Sequence, residues 1–536
     1  MKTHFNILFC FLSITSFLWG QNFDANWIGH FSYLNIKKVV NADTKFYAAS
    51  ENALFSYDLQ TNQLSTITTI NGLSGELIST LHYSNEYQLL MIGYENGLIE
   101  VYSENDQEVL KVVDIVNKVT IPSSQKKINH FNEFNSLVYI ATDYGISVYD
   151  LEGLEFGDTY YIGDGGAQIS VSQTAILNNE IYAACGSNTG IKKASLSNSN
   201  LTDFQLWSSL GSGDFKAITV FDSALYAVNS ANILFEINGT TITFLSNYSQ
   251  PVAELNASNN SLLVTTNSKV YEYEPGFTLT NTYSTNPDFD TNFNAALKID
   301  AVVYIGTTDY GVLKSNPLDP SGFDEIHPLG PLKNTVFSLS HGYGNLWVSY
   351  GDYSIGFNPH PLRYYGISNY ENSEWVNTSY DSIRDTTGAP VSSLNRISIN
   401  TLNPNQVYIS SYHHGLLDFK KGESITLLDD SNSSLESLVL PGSPNYKSIR
   451  ISGSTFDRDG DLWVLNSKVN NALQKFNPTS SSWTSYDFSS IIENPLNDEN
   501  GFSEVVIGPD GTKWIGGLKK GLIGFNETGM LLKNIS

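Results

Sequence analysis

Short runs of alternating apolar and polar residues, each closed by a turn, recur along almost the whole chain. The clearest copy is Asp510-Gly511-Thr512-Lys513-Trp514-Ile515-Gly516-Gly517, followed by Lys520-Gly521-Leu522-Ile523-Gly524-Phe525-Asn526. Period-two alternation puts one face of a strand into a core, so this stretch reads as turn, short strand, turn, short strand. The same phrase stands earlier as Asp459-Gly460-Asp461-Leu462-Trp463-Val464, and earlier still as Asn345-Leu346-Trp347-Val348 with Gly356-Phe357-Asn358 behind it.

Placing the large residue of each copy in register gives Tyr47, Met91, Tyr139, Tyr182, Tyr226, Leu263, Tyr304, Trp347, Tyr408, Trp463 and Trp514, at gaps of 37 to 61 residues. Most are followed by a second apolar run opened by glycine, as at Gly97, Gly145, Gly190, Gly311 and Gly415. Glycine supplies the positive φ that a tight hairpin needs. A period of about 40–50 residues built from short strands matches one four-stranded propeller blade per repeat. A leucine-rich solenoid has about half that period. The chain is therefore expected to be all-β, with eleven blades in two tandem β-propellers.

The first seven anchors, Tyr47 to Tyr304, are evenly spaced, and seven blades can close a ring and remove its open edges. Pro317, Pro320, Pro328 and Pro331, with Gly322 and Gly330, then mark a junction. The expected division is a signal peptide at 1–20, a seven-bladed propeller at 21–325 and a second propeller at 326–536. The second half shows four blades and is read as incomplete or four-bladed, with a truncated end. Its repeats stretch around inserts at about 361–400 and 425–450, and such inserts on a rigid scaffold are where partners bind.

Composition narrows the classes. Tyr 31, Phe 28 and Gly 41 in 536 residues, with only 15% charged, is a β-rich profile. A net charge of −25 repels nucleic acid and anionic membrane surfaces. Lys2, the apolar run Phe5–Leu18 and Trp19-Gly20 before Gln21 read as an export signal. Cys10 lies within that run, which leaves Cys185 alone in the mature chain and no disulfide framework.

Candidate chemistry is sparse. Asp457, Asp459 and Asp461 hint at a calcium loop, but Leu462 and Lys468 stand where an EF-hand needs glycine and glutamate, so the segment reads as a turn. Thr455-Phe456-Asp457 with Gly460 and Trp463 approaches a sialidase Asp-box with one residue too many. The arginines, Arg363, Arg384, Arg396, Arg450 and Arg458, leave the first propeller without a carboxylate-binding triad. His413-His414 falls at a hairpin and reads as an exposed turn. His30, His82, His130, His327, His341 and His360 have no ligand spacing. Cys185 reads as a buried small hydrophobe. The one-per-blade Trp and Tyr anchors read as packing between blades. No catalytic, cofactor-binding or metal-binding residue is assigned.

Asn71-Gly72-Leu73-Ser74…Ile78, Ile92-Gly93…Asn96-Gly97-Leu98 and Lys513-Trp514-Ile515-Gly516…Lys520-Gly521-Leu522 resemble the two-component-regulator propeller repeat of Bacteroidetes sensors. The leader ending at Gln21, the opening Trp27…His30-Phe31-Ser32-Tyr33-Leu34 and the tandem propellers resemble, more closely, the PorZ family of the type IX secretion system. That resemblance implies a non-enzymatic protein of the periplasm or outer surface, a partner of PorU, PorV and PorQ in the attachment complex. It also implies binding of anionic lipopolysaccharide for transfer to the PorU sortase, and a C-terminal β-sandwich beyond residue 536. An anionic ligand on so acidic a chain requires a local basic or aromatic pocket, which the sequence does not locate. The alternatives are the sensor propeller of a two-component system and a propeller-based polysaccharide lyase or glycosidase.

Overall fold

A computed structural model describes residues 27–258, 260–440, 442–492, 501–518 and 521–527. The leader, Cys10 and Gln21 lie outside the described residues. The rest forms eleven antiparallel meander sheets, ten of four strands and the last of three. We number them as blades 1 (38–67), 2 (78–112), 3 (128–160), 4 (171–210), 5 (215–247), 6 (252–284), 7 (293–326), 8 (338–378), 9 (394–428), 10 (450–486) and 11 (502–525). Two compact units divide the chain at Pro328/Leu329, with blades 1–7 in the first and 8–11 in the second.

Every anchor lies on the second strand of its blade. Nine of them join a core cluster shared with the blade that follows: Tyr47 packs with Leu90 and Ile92 of blade 2, and Trp463 with Phe502 and Ile515 of blade 11. Tyr304 of blade 7 packs back onto blade 1, its ring 4.9 Å from Phe46. The innermost strands of blades 7 and 1 are neighbours, and Ile36 N donates to Thr307 O at 2.8 Å. Gly311 N donates to Leu34 O, so the Trp27–Leu34 approach ends by stitching the ring shut. The first unit is a closed seven-bladed propeller, with no free innermost edge. In the second unit the innermost strands of blades 8 to 11 pack in sequence. Trp514 of blade 11 is half-buried, with no following blade among the described residues to cover it.

The hairpin glycines have the expected cause. Gly415 holds φ +108 at the start of the third strand of blade 9, and a Cβ there would lie 2.3 Å from Leu428 O on the fourth strand. Only glycine lets the turn close and the outer strand pair in register.

In nine blades a residue at the start of the innermost strand pairs with the third residue beyond the anchor, next to a register shift. Eight of those positions hold a buried apolar side chain: Ile78, Ile128, Val171, Phe215, Val252, Phe293, Leu394 and Phe502. The ninth, in blade 10, holds Ile451, also fully buried, with Arg450 one residue before it.

Candidate functional site at the mouth of the second unit

Arg450 opens the innermost strand of blade 10 (Arg450–Phe456) and lies at the end of the unit where these strands begin. Three connections meet there. The long link between Asn345–Ser349 and Ile367–Glu371 in blade 8 brings Tyr353, Phe357 and His360. The hairpin between Gln406–Ser411 and Gly415–Lys420 in blade 9 brings Tyr412, His413 and His414. The connection from Ser424–Leu428 to blade 10 brings Tyr446 and Ser448.

Side-chain bonds tie these loops together. His413 Nδ1 lies 2.9 Å from Ser448 Oγ, and His360 Nε2 lies 3.3 Å from Tyr446 Oη. His414 Nδ1 lies 3.2 Å from both the backbone N and the Oγ of Ser392. The histidine pair is thus on a turn as expected but is not exposed: both rings are half-buried beneath residues from the two inserts. The first insert also forms a short helix, Tyr380–Thr387, capped by Ser379 and ended at Gly388. Tyr353 stacks between Phe357 at 5.2 Å and Tyr412 at 4.4 Å, which gives the mouth an aromatic wall.

One permanent charge, Arg450, lies buried among these loops. Arg450 is 6% exposed, and its Nε donates to Ser448 Oγ at 3.2 Å while Nη1 donates to Phe357 O at 3.3 Å. Its guanidinium faces the Tyr412 ring at 5.9 Å. Burial holds His413 down to about 4, with further lowering from His414, His360 and Arg450. Burial, and then Lys447, holds His414 at about 4. Both imidazoles are therefore neutral at pH 7.

Elsewhere the sequence candidates have structural occupations. Asp457 Oδ1 accepts from the backbone N of Asp459 at 3.0 Å and of Asp461 at 2.9 Å, while Oδ2 accepts from Trp463 Nε1 at 2.8 Å. Asp461 is engaged by Asn477 at 2.6 Å and Lys475 at 3.1 Å. This is an Asx-type turn that fastens the loop to the blade core. Cys185 is fully buried, and burial pushes its thiol up to about 12. The anchor Trp463 is sealed, stacked on Tyr486, and covered by the Lys513 ammonium 3.9 Å from its centroid. Arg363, Arg384 and Arg396 each pair with a carboxylate, and Arg458 is exposed.

Sequence reasoning missed Arg450, His360, Tyr412 and Tyr446 as a group. They come from three connections up to 90 residues apart. No repeat signal marks them: Ile451 keeps the apolar column in blade 10, and Arg450 precedes it.

Residues 46–208 match the family model described as the type IX secretion system PorZ N-terminal β-propeller domain. No curated protein matches the chain. Among solved structures, PorZ of Porphyromonas gingivalis superposes with a TM-score of 0.79 at 18% identity. The alignment covers 94% of this chain and 66% of that one, so the chain spans just under two thirds of the PorZ length. That protein is described as an essential bacterial surface component of the type IX secretion system. A computationally designed protein, Ika8, aligns at a TM-score of 0.40 and 12% identity over 59% of this chain and 94% of its own, too distant to bear on fold or function. The chain is PorZ-like: residues 46–208 of its first propeller match the PorZ N-terminal domain, and its fold follows that of PorZ along nearly its whole length.

Proposed function

We propose that this protein is an exported, non-enzymatic binding and assembly component of a type IX secretion attachment complex. In this reading it works beside PorU-, PorV- and PorQ-like partners, binds anionic lipopolysaccharide and delivers it to the sortase. The observation that carries the reading is the family match over residues 46–208, within a fold that follows PorZ on both sides of that segment. The seven-bladed ring supplies a rigid body, and the second unit supplies loops and inserts that meet at one end of its innermost strands. Among the described residues no helix is long and apolar enough to cross a membrane.

The test is a pull-down of the tagged chain from an envelope extract, read by mass spectrometry and a lipopolysaccharide stain. Sortase-complex subunits or anionic lipopolysaccharide are expected in the eluate. Recovery of a histidine kinase with neither of them overturns the reading in favour of a sensor propeller.

A further inference from the structure

Among the described residues two lysine amines lie against a side-chain amide: Lys216 on Asn232, and Lys421 on Asn369. Lys216 has no carboxylate beside it there, whereas the Lys421 ammonium also forms an ion pair with Glu371. Asn369 and Glu371 stand two apart on the third strand of blade 8 (Ile367–Glu371), so both side chains leave the same face. Lys421 follows the third strand of blade 9 (Gly415–Lys420), and its backbone N donates to Asn405 O at 2.8 Å. An amine from one blade is thus held against an amide and a carboxylate of its neighbour. Lys298, Glu272 and Asn281 also meet, but there the carboxylate separates the other two, with Lys298 on Oε1 and Asn281 on Oε2.

The three groups have complementary chemistry. Lys421 Nζ lies 3.3 Å from Asn369 Oδ1, one bond away from the electrophilic Cγ. Asn369 is 3% exposed and pairs across the sheet with Trp347, whose buried ring packs against Phe419. Burial lowers the Lys421 ammonium below its ordinary value, which eases release of a proton to Glu371. A desolvated lysine is a nucleophile, and a carboxylate in contact with it is placed to carry protons. Held in one geometry by two folded blades, amine and amide react as parts of one molecule, without the entropy cost of an encounter.

We propose that Lys421 and Asn369 join in an amide bond that links blade 8 to blade 9 covalently. Glu371 takes one proton from the Lys421 ammonium, and the freed amine attacks Asn369 Cγ. The Nζ–Cγ bond forms and the Cγ–Nδ2 bond breaks. Nδ2 leaves as ammonium, with one proton returned by Glu371 and one given up by Nζ, and Glu371 ends ionised as it began. No oxidant or reductant enters the balance. The link joins residues 52 apart in the chain, and so restricts the unfolded state as a disulfide does.

The test is the mass of the purified full chain under denaturing conditions, before and after incubation at neutral pH. A loss of one ammonia is expected, and a tryptic digest is expected to contain a branched peptide joining 364–384 to 421–447. The digest is needed because cyclisation of an N-terminal glutamine loses the same group. Lys421→Arg keeps the ion pair but not the nucleophile, and Asn369→Ala removes the electrophile; neither variant is expected to give the branched peptide. Glu371→Gln slows its formation, and Lys216→Arg leaves it unchanged. Should the buried Asn369→Ala fail to fold, the partly exposed Lys421→Arg carries the comparison. A wild-type chain that yields only linear peptides overturns the proposal. So does a branched peptide formed by Lys421→Arg, or one formed as fast by Glu371→Gln as by the wild-type chain.

Discussion

Lys38 of the first unit and Arg450 of the second both open an innermost strand, and both are largely withdrawn from water. Lys38 forms an ion pair with Glu254, whose other oxygen accepts from Ala296 N at 2.8 Å. Nearby, His82 meets Glu133 at 2.6 Å. Lys38 is thus a bridge between blades, answered by a carboxylate. The mouth of the second holds Arg450 against a hydroxyl, a carbonyl and an aromatic face. The same kind of residue is a staple in one unit and an unanswered charge in the other. Lys38 is held by charge pairing, whereas Arg450 is held by hydrogen bonds and an aromatic face.

The anchors give this contrast its baseline, and the largest effect. Trp463 is sealed between blades 10 and 11, hydrogen-bonded to Asp457 and stacked on Tyr486. Truncation to alanine leaves a cavity and an orphaned carboxylate, with an expected cost of about 3–5 kcal/mol. Trp514 is the same residue in the same repeat, half-buried on a face that no described blade covers. Its replacement by alanine is expected to cost about 1 kcal/mol or less. Urea denaturation of the two variants, followed by circular dichroism, checks the difference. Equal losses would mean that Trp514 is covered in solution.

The next effect separates the carboxylate-paired cation from the hydrogen-bonded one. Glu254→Gln strands the Lys38 ammonium among the innermost strands, and is expected to destabilise the protein by about 3 kcal/mol. Arg450→Gln removes a buried charge along with two ordinary hydrogen bonds, opposing contributions expected to leave stability within about 1 kcal/mol of wild type. If Arg450→Gln proved as costly as Glu254→Gln, the distinction between the two units would collapse.

The propellers were legible because alternation, a hairpin glycine and one large residue repeat together, and each answers a need of every blade. Tyr47 and Trp347 look alike in sequence because both fill the gap to the next blade. Turn chemistry was legible too: Asp457 and Asp459 read as a turn, and Asp457 spends its oxygens on loop N–H groups and Trp463. The mouth was not legible, since His360, His413 and Tyr446 meet only when three connections fold over one end of the sheet stack. The half-burial of His413 and His414 escaped for the same reason. Ser392 and Ser448, which cover them, belong to the inserts whose path no repeat dictates.

Protonation sharpens the comparison with a smaller effect. In the unfolded chain His413 and His414 titrate near their ordinary value of 6.5, while in the fold burial and neighbouring cations hold both at about 4. Between pH 6.5 and 4 the unfolded state therefore binds more protons. Their contribution is fully present above pH 6.5 and is lost as pH falls toward 4. His327 of the first unit runs the opposite way. Burial lowers it, but the Glu325 carboxylate and the Pro328 carbonyl outweigh burial and raise it above 6.5. That contribution is fully present below pH 6.5 and is lost as pH rises through the folded value. Acidification from pH 7 to 4 is thus expected to weaken the second unit through its histidines while His327 supports the first. Trp347, Trp375, Trp463, Trp483 and Trp514 all lie in the second unit, so tryptophan emission reports mainly on it. Thermal melts followed by emission should show midpoints falling over this range, and the His413→Gln/His414→Gln double variant should flatten the fall. A slope that survives the double variant would assign the acid sensitivity to other groups, and would leave the mouth's histidines as packing alone.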